Sequence, residues 1–259
     1  KFKYPKAGEE NSKVSIHIYN VKTKNTVKVD LGDSYEYIPR IKWTNDPNAL
    51  SVQRMNRHQN KLELLLADAA SGSAKVILTE TRDTYIDITD DLTFLSDNKR
   101  FIWSSDKDGY NHLYLYNLEG ELIDQITVGN WEVAEFKGID ESTGTLFYIA
   151  AEKFEGEEKA MREYRGEDYQ THYLEFQSAQ PSPMERNLFA VDLSGTKKKL
   201  LSAKNGNNSA TFSAGFKYFI NYHSDANTPS YITLHKANGE QIRILEDNSE
   251  LKEKIGMYE

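Results

Sequence analysis

The feature that most constrains the fold is a strand–turn–strand pattern that recurs along the chain. It is clearest from His112 to Thr127, where two alternating segments flank a turn at Glu119-Gly120. Alternation with a period of two is typical of β-strands and not of helices. Copies of the pattern begin at Val14, Leu62, Leu113, Leu188 and Ile232. We therefore expect a chain built from repeated hairpins.

The spacing of the copies predicts a β-propeller. The intervals between them are about 48, 51, 75 and 44 residues, and propeller blades repeat every ~40–50 residues. Each full interval holds two further strand patterns ahead of the hairpin, which gives four strands per repeat. A β-sandwich would explain the strands but not the regular interval. The strands expected ahead of the hairpins are Tyr37–Trp43, Leu50–Met55, Leu92–Leu95, Arg100–Trp103, Trp131–Ile139, Leu146–Ala150, Ala210–Ala214 and Tyr218–Tyr222.

We predict an all-β partial β-propeller of four four-stranded antiparallel blades and an N-terminal half blade within one segment, 1–259. The half blade covers 1–34, and the blades cover about 35–80, 85–128, 131–202 and 208–246. A half blade of two strands leaves one strand edge without a partner. Either its inner strands lie upstream in a longer protein, which we favour, or the ring closes in an unusual way. Such edges also predict that the 259-residue chain self-associates.

The long third interval predicts an insertion at 154–180. Gly156 and Gly166 bound a stretch of good helix formers. About nine residues are marginal for a helix unless the helix packs on something, so a short helix and a disordered acidic excursion both remain open. The insertion joins the second and third strands of its blade. It should therefore emerge on the face that carries the links between successive blades, including Thr81–Asp91.

Composition excludes several classes of function. The net charge is −8, with 32 basic residues mixed among 40 acidic ones, so we expect no nucleic-acid surface. The absence of cysteine excludes disulfides and a thiol nucleophile. No apolar run approaches the ~20 residues of a membrane helix, and we expect no signal peptide in the first residues given. Because Lys1-Phe2-Lys3-Tyr4 begins without methionine and close to a strand, we expect an internal segment of a longer protein.

The chain contains no complete catalytic or metal-binding motif. Gly32-Asp33-Ser34-Tyr35-Glu36 lacks the final glycine of the G-x-S-x-G elbow of serine hydrolases. Asp106-Lys107-Asp108-Gly109 resembles the start of a calcium loop but lacks the later ligands, so we interpret it as a turn. The six histidines have no zinc-binding spacing and are expected to be structural or solvated. They are His17, His58, His112, His172, His223 and His235. We predict no catalytic residue, no metal site and no cofactor in this chain.

Five ordered motifs carry a resemblance to a known family. They are Tyr4-Pro5-Lys6-Ala7-Gly8 followed by Asn11, the segment from Asp108 to Tyr114 (DGYNHLY), the segment from Thr127 to Val133 (TVGNWEV), Arg186-Asn187-Leu188-Phe189, and the segment from Leu245 to Leu251 (LEDNSEL). In this order they resemble the second half of the propeller of bacterial dipeptidyl peptidase IV-type serine exopeptidases, which belong to the prolyl oligopeptidase group.

The resemblance implies an eight-bladed propeller stacked on an α/β-hydrolase domain. The whole enzyme would remove Xaa-Pro or Xaa-Ala dipeptides from peptide N-termini by acyl transfer through a serine ester. Its catalytic triad would lie beyond Glu259, and the acidic pair that binds the substrate's amino terminus would lie before Lys1. The chain alone should therefore be inactive, and it would screen substrates and support its own hydrolase domain.

The resemblance also implies partners, a location and one candidate site residue. The partners are peptide substrates with Pro or Ala at the second position and a second copy in a homodimer, and the location is periplasmic or extracellular. In the family, aromatic and arginine side chains of the link before Leu92 line the far subsites. The aligned residues here are Tyr85-Ile86-Asp87, without the arginine, so Tyr85 is the candidate substrate-binding residue. A stand-alone propeller that serves as an interaction platform is the alternative, since one fold hosts many functions.

Overall fold

The computed structural model describes residues 6–151, 185–202 and 206–256, and almost all of its regular structure is β. β1 (His17–Tyr19) and β2 (Thr26–Lys28) form an antiparallel two-stranded sheet. The first four-stranded sheet contains β3 (Tyr37–Trp43), β4 (Ala49–Met55), β5 (Lys61–Asp68) and β6 (Ala74–Thr81). The second contains β7 (Thr93–Phe94), β8 (Arg100–Ser105), β9 (His112–Asn117) and β10 (Leu122–Gln125).

Two further four-stranded sheets follow. The third contains β11 (Val133–Asp140), β12 (Thr145–Ala150), β13 (Asn187–Asp192) and β14 (Lys199–Leu200). The fourth contains β15 (Asn207–Phe212), β16 (Tyr218–Asp225), β17 (Thr228–Lys236) and β18 (Gln241–Glu246). In all four sheets the strands neighbour one another in chain order. The predicted all-β class, with four four-stranded sheets after a two-stranded one, is confirmed.

Two helical features were not predicted. A short 3-10 helix, Ala214–Phe216, takes the place of the end of the strand predicted at Ala210–Ala214, because β15 ends at Phe212, and α1 (Ser249–Ile255) follows β18. β15 begins at Asn207 instead of Ala210, and β16 continues to Asp225 instead of ending at Tyr222. The extra residues are paired with each other, since Asn208 lies opposite His223.

The insertion predicted at 154–180 lies outside the described residues. The strands on either side of it are antiparallel neighbours, because Ala150 at the end of β12 pairs with Asn187 at the start of β13. The chain between β12 and β13 therefore connects the second and third strands of the third sheet, and the insertion itself stays a prediction.

The chain divides into two compact units. One consists of Lys1–Phe101 with Asn117–Glu121, and the other of Ile102–Tyr116 with Leu122–Glu259. The core of the first unit joins the two-stranded sheet to the first four-stranded sheet. Ile18, Val29 and Leu31 pack there against Leu50, Val52, Leu65 and Ala67.

The core of the second unit is aromatic. The rings of Phe147 and Phe216 stack with 5.5 Å between their centroids, and Phe212 lies 4.5 Å from Phe147. The other buried members of this cluster are Ile149, Leu188, Ala190, Leu201, Ala210 and Phe219. Rings of this size bury large apolar areas and dominate the energetics of a core.

Each outer hairpin packs its tip on the outermost strand of the preceding sheet, or on the residue just after it. A Cβ at Gly72 would lie 2.2 Å from the Lys28 carbonyl oxygen, and one at Gly120 would lie 1.7 Å from that of Ile77. In the second unit, a Cβ at Gly195 would lie 2.5 Å from the carbonyl oxygen of Ile126, just after β10. At Gly239 the approach is looser, since a Cβ there would lie 3.2 Å from the Leu201 side chain and 3.8 Å from its carbonyl oxygen. The hairpin tips therefore need glycine for close approach as well as for positive φ.

Candidate functional site

The candidate residue Tyr85 lies in the link between β6 and β7. Its side chain is 64% exposed, and the next residue, Ile86, is buried. Two backbone hydrogen bonds tie the link to the β4–β5 turn: Ile86 N donates to Gln59 O at 2.8 Å and Arg82 N to Asn60 O at 2.9 Å. The link is therefore held by its backbone and by Ile86, while the Tyr85 ring faces solvent.

The β4–β5 turn is itself well ordered by hydrogen bonds. Asn56 Oδ1 accepts the backbone N–H groups of Asn60 and Lys61, both at 3.1 Å. At the same edge of the sheet, Glu36 N donates to Met55 O. Tyr85, the β4–β5 turn and the start of β3 therefore lie at one edge of the first four-stranded sheet, which we call the Tyr85 edge.

A polar cavity opens at the Tyr85 edge. Its volume is about 680 Å³, and its walls include Glu9, Glu10, Asp33, Glu36, Lys13 and Arg57. Glu36 Oε1 accepts hydrogen bonds from Arg57 Nη1 at 3.0 Å and from Asn11 Nδ2 at 2.7 Å. Acidic side chains outnumber basic ones in these walls, so the cavity would favour a cationic or hydrogen-bonding group.

Side chains of β3 hold the end of the β6–β7 link that leads into β7. Arg40 of β3 forms an ion pair with Asp90, with Nε 2.5 Å from Oδ1 and Nη2 3.3 Å from Oδ2. The guanidinium of Arg40 holds the pKa of Asp90 below its usual value. Lys42 Nζ donates to the Leu92 carbonyl oxygen. These contacts are not predictable from local sequence, because their partners are 50 residues apart in the chain.

The described residues contain no catalytic constellation. Ser15 Oγ lies 3.1 Å from His17 Nε2, but both side chains are exposed and only two residues apart. His58 is exposed, while His112, His223 and His235 are buried, and His172 lies outside the described ranges. Within residues 6–151, 185–202 and 206–256, no group of three or more His, Cys, Asp or Glu side chains could hold a metal ion. Across those same ranges, no helix is both long enough and apolar enough to cross a membrane.

Two of the motifs singled out in the sequence are joined around His112. Its Nε2 donates to Gly129 O and its Nδ1 contacts Thr127 Oγ1, both at 3.0 Å. A carbonyl only accepts, so Nε2 carries the proton and the Thr127 hydroxyl donates to Nδ1. The ring lies edge-on to Trp131, with 5.0 Å between centroids. Burial lowers the pKa of His112, and both of its ring nitrogens have hydrogen-bond partners within the sheet, so the contacts of this histidine are structural.

Comparison with known proteins shows the family. The protein-family model of the dipeptidyl peptidase IV (DPP IV) N-terminal region matches residues 1–162 and 158–230. The chain belongs to this family. A solved structure of dipeptidyl peptidase 4 from Porphyromonas gingivalis is 35% identical, with a TM-score of 0.80 over 98% of this chain and 32% of that one. This likeness confirms that the four-stranded sheets are propeller blades of the DPP IV type.

Fungal relatives match over the same span. The "Probable dipeptidyl-aminopeptidase B" of Emericella nidulans is 25% identical over 99% of this chain and 27% of its own length. The "Probable dipeptidyl peptidase 4" of Aspergillus flavus is 24% identical over all of this chain and 32% of its own length. The chain thus spans about a quarter to a third of these DPP IV relatives.

Proposed function

We propose that this chain is the non-catalytic propeller part of a DPP IV-like serine peptidase that removes Xaa-Pro and Xaa-Ala dipeptides from peptide N-termini. One observation carries the proposal: proteins named as dipeptidyl peptidases match the chain from end to end, while the chain spans at most about a third of each. The catalytic serine, aspartate and histidine would belong to an α/β-hydrolase domain elsewhere in the enzyme.

In this proposal the propeller limits which peptides reach the catalytic serine, and it supports the hydrolase domain. The Tyr85 edge suits this role because it combines an exposed aromatic ring with an open polar cavity. Aromatic rings bind peptides through apolar contact and tolerate many partner side chains. Tyr85 would contact substrate residues beyond the dipeptide that is removed.

The function is tested by assaying the intact gene product on a Gly-Pro chromogenic substrate. We expect hydrolysis that a serine-directed inhibitor abolishes, and no hydrolysis by the 259-residue chain alone. If the intact product is inactive on Xaa-Pro and Xaa-Ala substrates, the peptidase proposal is wrong. A stand-alone propeller that binds other proteins would then be the better interpretation.

The role of Tyr85 is tested by Tyr85→Ala in the active enzyme. For peptides of four or more residues we expect KM to rise about five- to tenfold, the value of one aromatic contact of about 1–1.5 kcal/mol. The KM of a dipeptide chromogenic substrate should not change. Tyr19→Ala is the matched control, since Tyr19 is 56% exposed at the end of β1. Equal effects of the two substitutions would exclude a specific role for Tyr85.

We also propose a periplasmic or extracellular location and a homodimer, both from the family resemblance. Cell fractionation with activity measurement tests the location, and activity confined to the cytoplasmic fraction would contradict it. Light scattering of the intact enzyme tests the dimer, and a mass of one chain would contradict it.

A further inference from the structure

Side chains of β3 bridge to the segment that carries the β6–β7 link into β7. Arg40 binds Asp90, Lys42 binds the Leu92 carbonyl oxygen, and just past the end of β3 Asn45 Nδ2 donates to Phe94 O at 2.9 Å. Residues two apart in a strand point to the same face, so Arg40 and Lys42 both contact this segment, two residues apart on each side. We call the contacts of Arg40, Lys42 and Asn45 the three rungs.

The rungs are important because apolar packing holds little of the link. From Arg82 to Asp91, all of which the structure describes, Ile86 is the one buried residue. At the Asp90 end, the link covers a small cavity of about 50 Å³, which is lined by Arg40, Lys42, Ser51, Gln53, Thr89 and Asp90. The polar rungs, and not a packed core, therefore hold the second half of the link.

We propose that Arg40 and Lys42 are positioning residues for peptide binding. They hold the second half of the β6–β7 link against β3, while backbone hydrogen bonds of Arg82 and Ile86 hold the first half, and the two anchors together limit where the Tyr85 ring can lie. The part of this inference that concerns binding rests on the proposed function of Tyr85. An isolated surface ion pair stabilises little. The Arg40 rung differs because the guanidinium makes two hydrogen bonds to one carboxylate, a geometry that gives strength and direction.

The first experiment measures amide hydrogen exchange of residues 83–92 and needs no enzyme activity. In the double variant Arg40→Ala/Lys42→Ala we expect exchange to accelerate about tenfold, as expected for the loss of a bidentate ion pair and a part-buried hydrogen bond. Lys236→Ala is the matched control, because it removes an exposed ion pair with Glu240, with Nζ 2.8 Å from Oε1, on β17. Exchange at 83–92 equal to wild type in the double variant would overturn the inference.

A charge exchange separates positioning from general loss of stability. Arg40→Asp alone should accelerate exchange in the link, and Arg40→Asp with Asp90→Arg should restore most of the protection. If the pair of substitutions behaves like the single one, the ion pair does not position the link. The thermal midpoint is followed in parallel, so that a global destabilisation is recognised by faster exchange in every strand.

The second experiment uses the active enzyme. Arg40→Ala/Lys42→Ala should raise KM for peptides of four or more residues about three- to tenfold, with kcat and dipeptide hydrolysis unchanged. Added to Tyr85→Ala, the double variant should have little further effect, since both act through the same ring. A lower kcat with unchanged KM would overturn the positioning role. An inactive wild-type enzyme would instead contradict the proposed function. The hydrogen exchange of residues 83–92 would then decide whether Arg40 and Lys42 hold the link.

Discussion

At the scale of single residues, the hairpin-tip glycines show how one position can control packing between sheets. Gly120 has φ +89°, and a Cβ there would lie 1.7 Å from the backbone oxygen of Ile77. Gly109 also has a positive φ, +106°, but a Cβ there would have nothing within 4 Å. Substitutions at the two glycines therefore distinguish the cost of a positive φ from the cost of a steric clash.

We predict that Gly120→Ala destabilises the fold by about 3–5 kcal/mol, because the methyl group adds a clash with backbone to the cost of positive φ. Gly109→Ala should cost about 1–2 kcal/mol, from φ alone. Urea denaturation measures both free energies of unfolding. Equal losses in the two variants would show that the Ile77 contact is unimportant.

Asp192 is a residue whose charge stabilises a turn. Burial raises its pKa, but hydrogen bonds from the Ser194 hydroxyl, the Lys197 N–H and both donors of Thr196 outweigh burial and lower the pKa to about 2. Since the folded pKa lies below the ordinary aspartate pKa of 3.8, the stabilisation is present above about pH 4. It is lost as the pH falls toward about 2.

We predict that Asp192→Asn lowers the free energy of unfolding at pH 7 by about 1–2 kcal/mol, the value of hydrogen bonds to a charged acceptor. The loss should shrink as the pH falls from about 4 to 2, because wild-type Asp192 is then protonated as well. Denaturant titrations at several pH values measure this. A difference that stays constant between pH 7 and pH 2 would contradict the prediction.

At the scale of elements, a side-chain oxygen at the end of the strand before the turn organises most of the outer hairpins. Asn20, Asp68, Asn117 and Asp192 each accept backbone N–H groups a few residues further on. Asn and Asp favour such turns because their side chains replace a backbone acceptor. Turn chemistry of this kind is local, so the hairpins could be predicted from the sequence.

A second repeated contact closes the outer strand onto the third strand. Leu113 N donates to Thr127 Oγ1 at 2.9 Å, and Leu188 N donates to Ser202 Oγ at 3.3 Å. Both hydroxyls also contact the residue before the leucine, His112 in one sheet and Asn187 in the other. A hydroxyl is therefore the shared requirement at this position.

We predict that Thr127→Val costs about 2–3 kcal/mol, because the Leu113 N–H and His112 Nδ1 are left buried without their partner. Thr127→Ser should cost less than half as much, since serine fills the equivalent position in the third sheet. Chemical denaturation followed by tryptophan fluorescence measures both losses. If serine is no better than valine, the hydroxyl is not what the position requires.

Elements were predictable where their pattern is local and unpredictable where it depends on distant partners. Alternating β-branched and aromatic residues placed strands such as Tyr37–Trp43 correctly. The seven residues of α1 bury no side chain, so no apolar stripe marked that helix in the sequence. Tyr85 came from the resemblance alone, and no observation yet tests its role. The rungs of Arg40 and Lys42 join residues 50 apart, which only a folded chain brings together.

At the scale of the whole molecule, exposed apolar side chains on β3 favour self-association of the chain. Ile41 and Trp43 lie on the face of β3 opposite to Arg40 and Lys42, and they are 52% and 51% exposed. Neighbouring exposed apolar residues beside an open strand edge favour association between copies.

We predict that the 259-residue chain self-associates at about tens of micromolar, a range in which exposed sheets aggregate. Ile41→Lys with Trp43→Lys should reduce the mass measured by light scattering. Val21→Lys is the control, since Val21 is 77% exposed but lies in a hairpin turn. A wild-type chain that is strictly monomeric would contradict this prediction.

The hairpin tips have a consequence for how such proteins change in evolution. Where one repeat follows another, its hairpin-tip glycine lies against the preceding repeat. The nearest atom there is a backbone carbonyl oxygen for Gly72, Gly120 and Gly195 and the Leu201 side chain for Gly239. Duplication or deletion of a repeat whose tip contacts a carbonyl oxygen therefore leaves junctions of the same chemistry. A lineage can alter the number of blades in a single genetic event, without first evolving a new kind of joint.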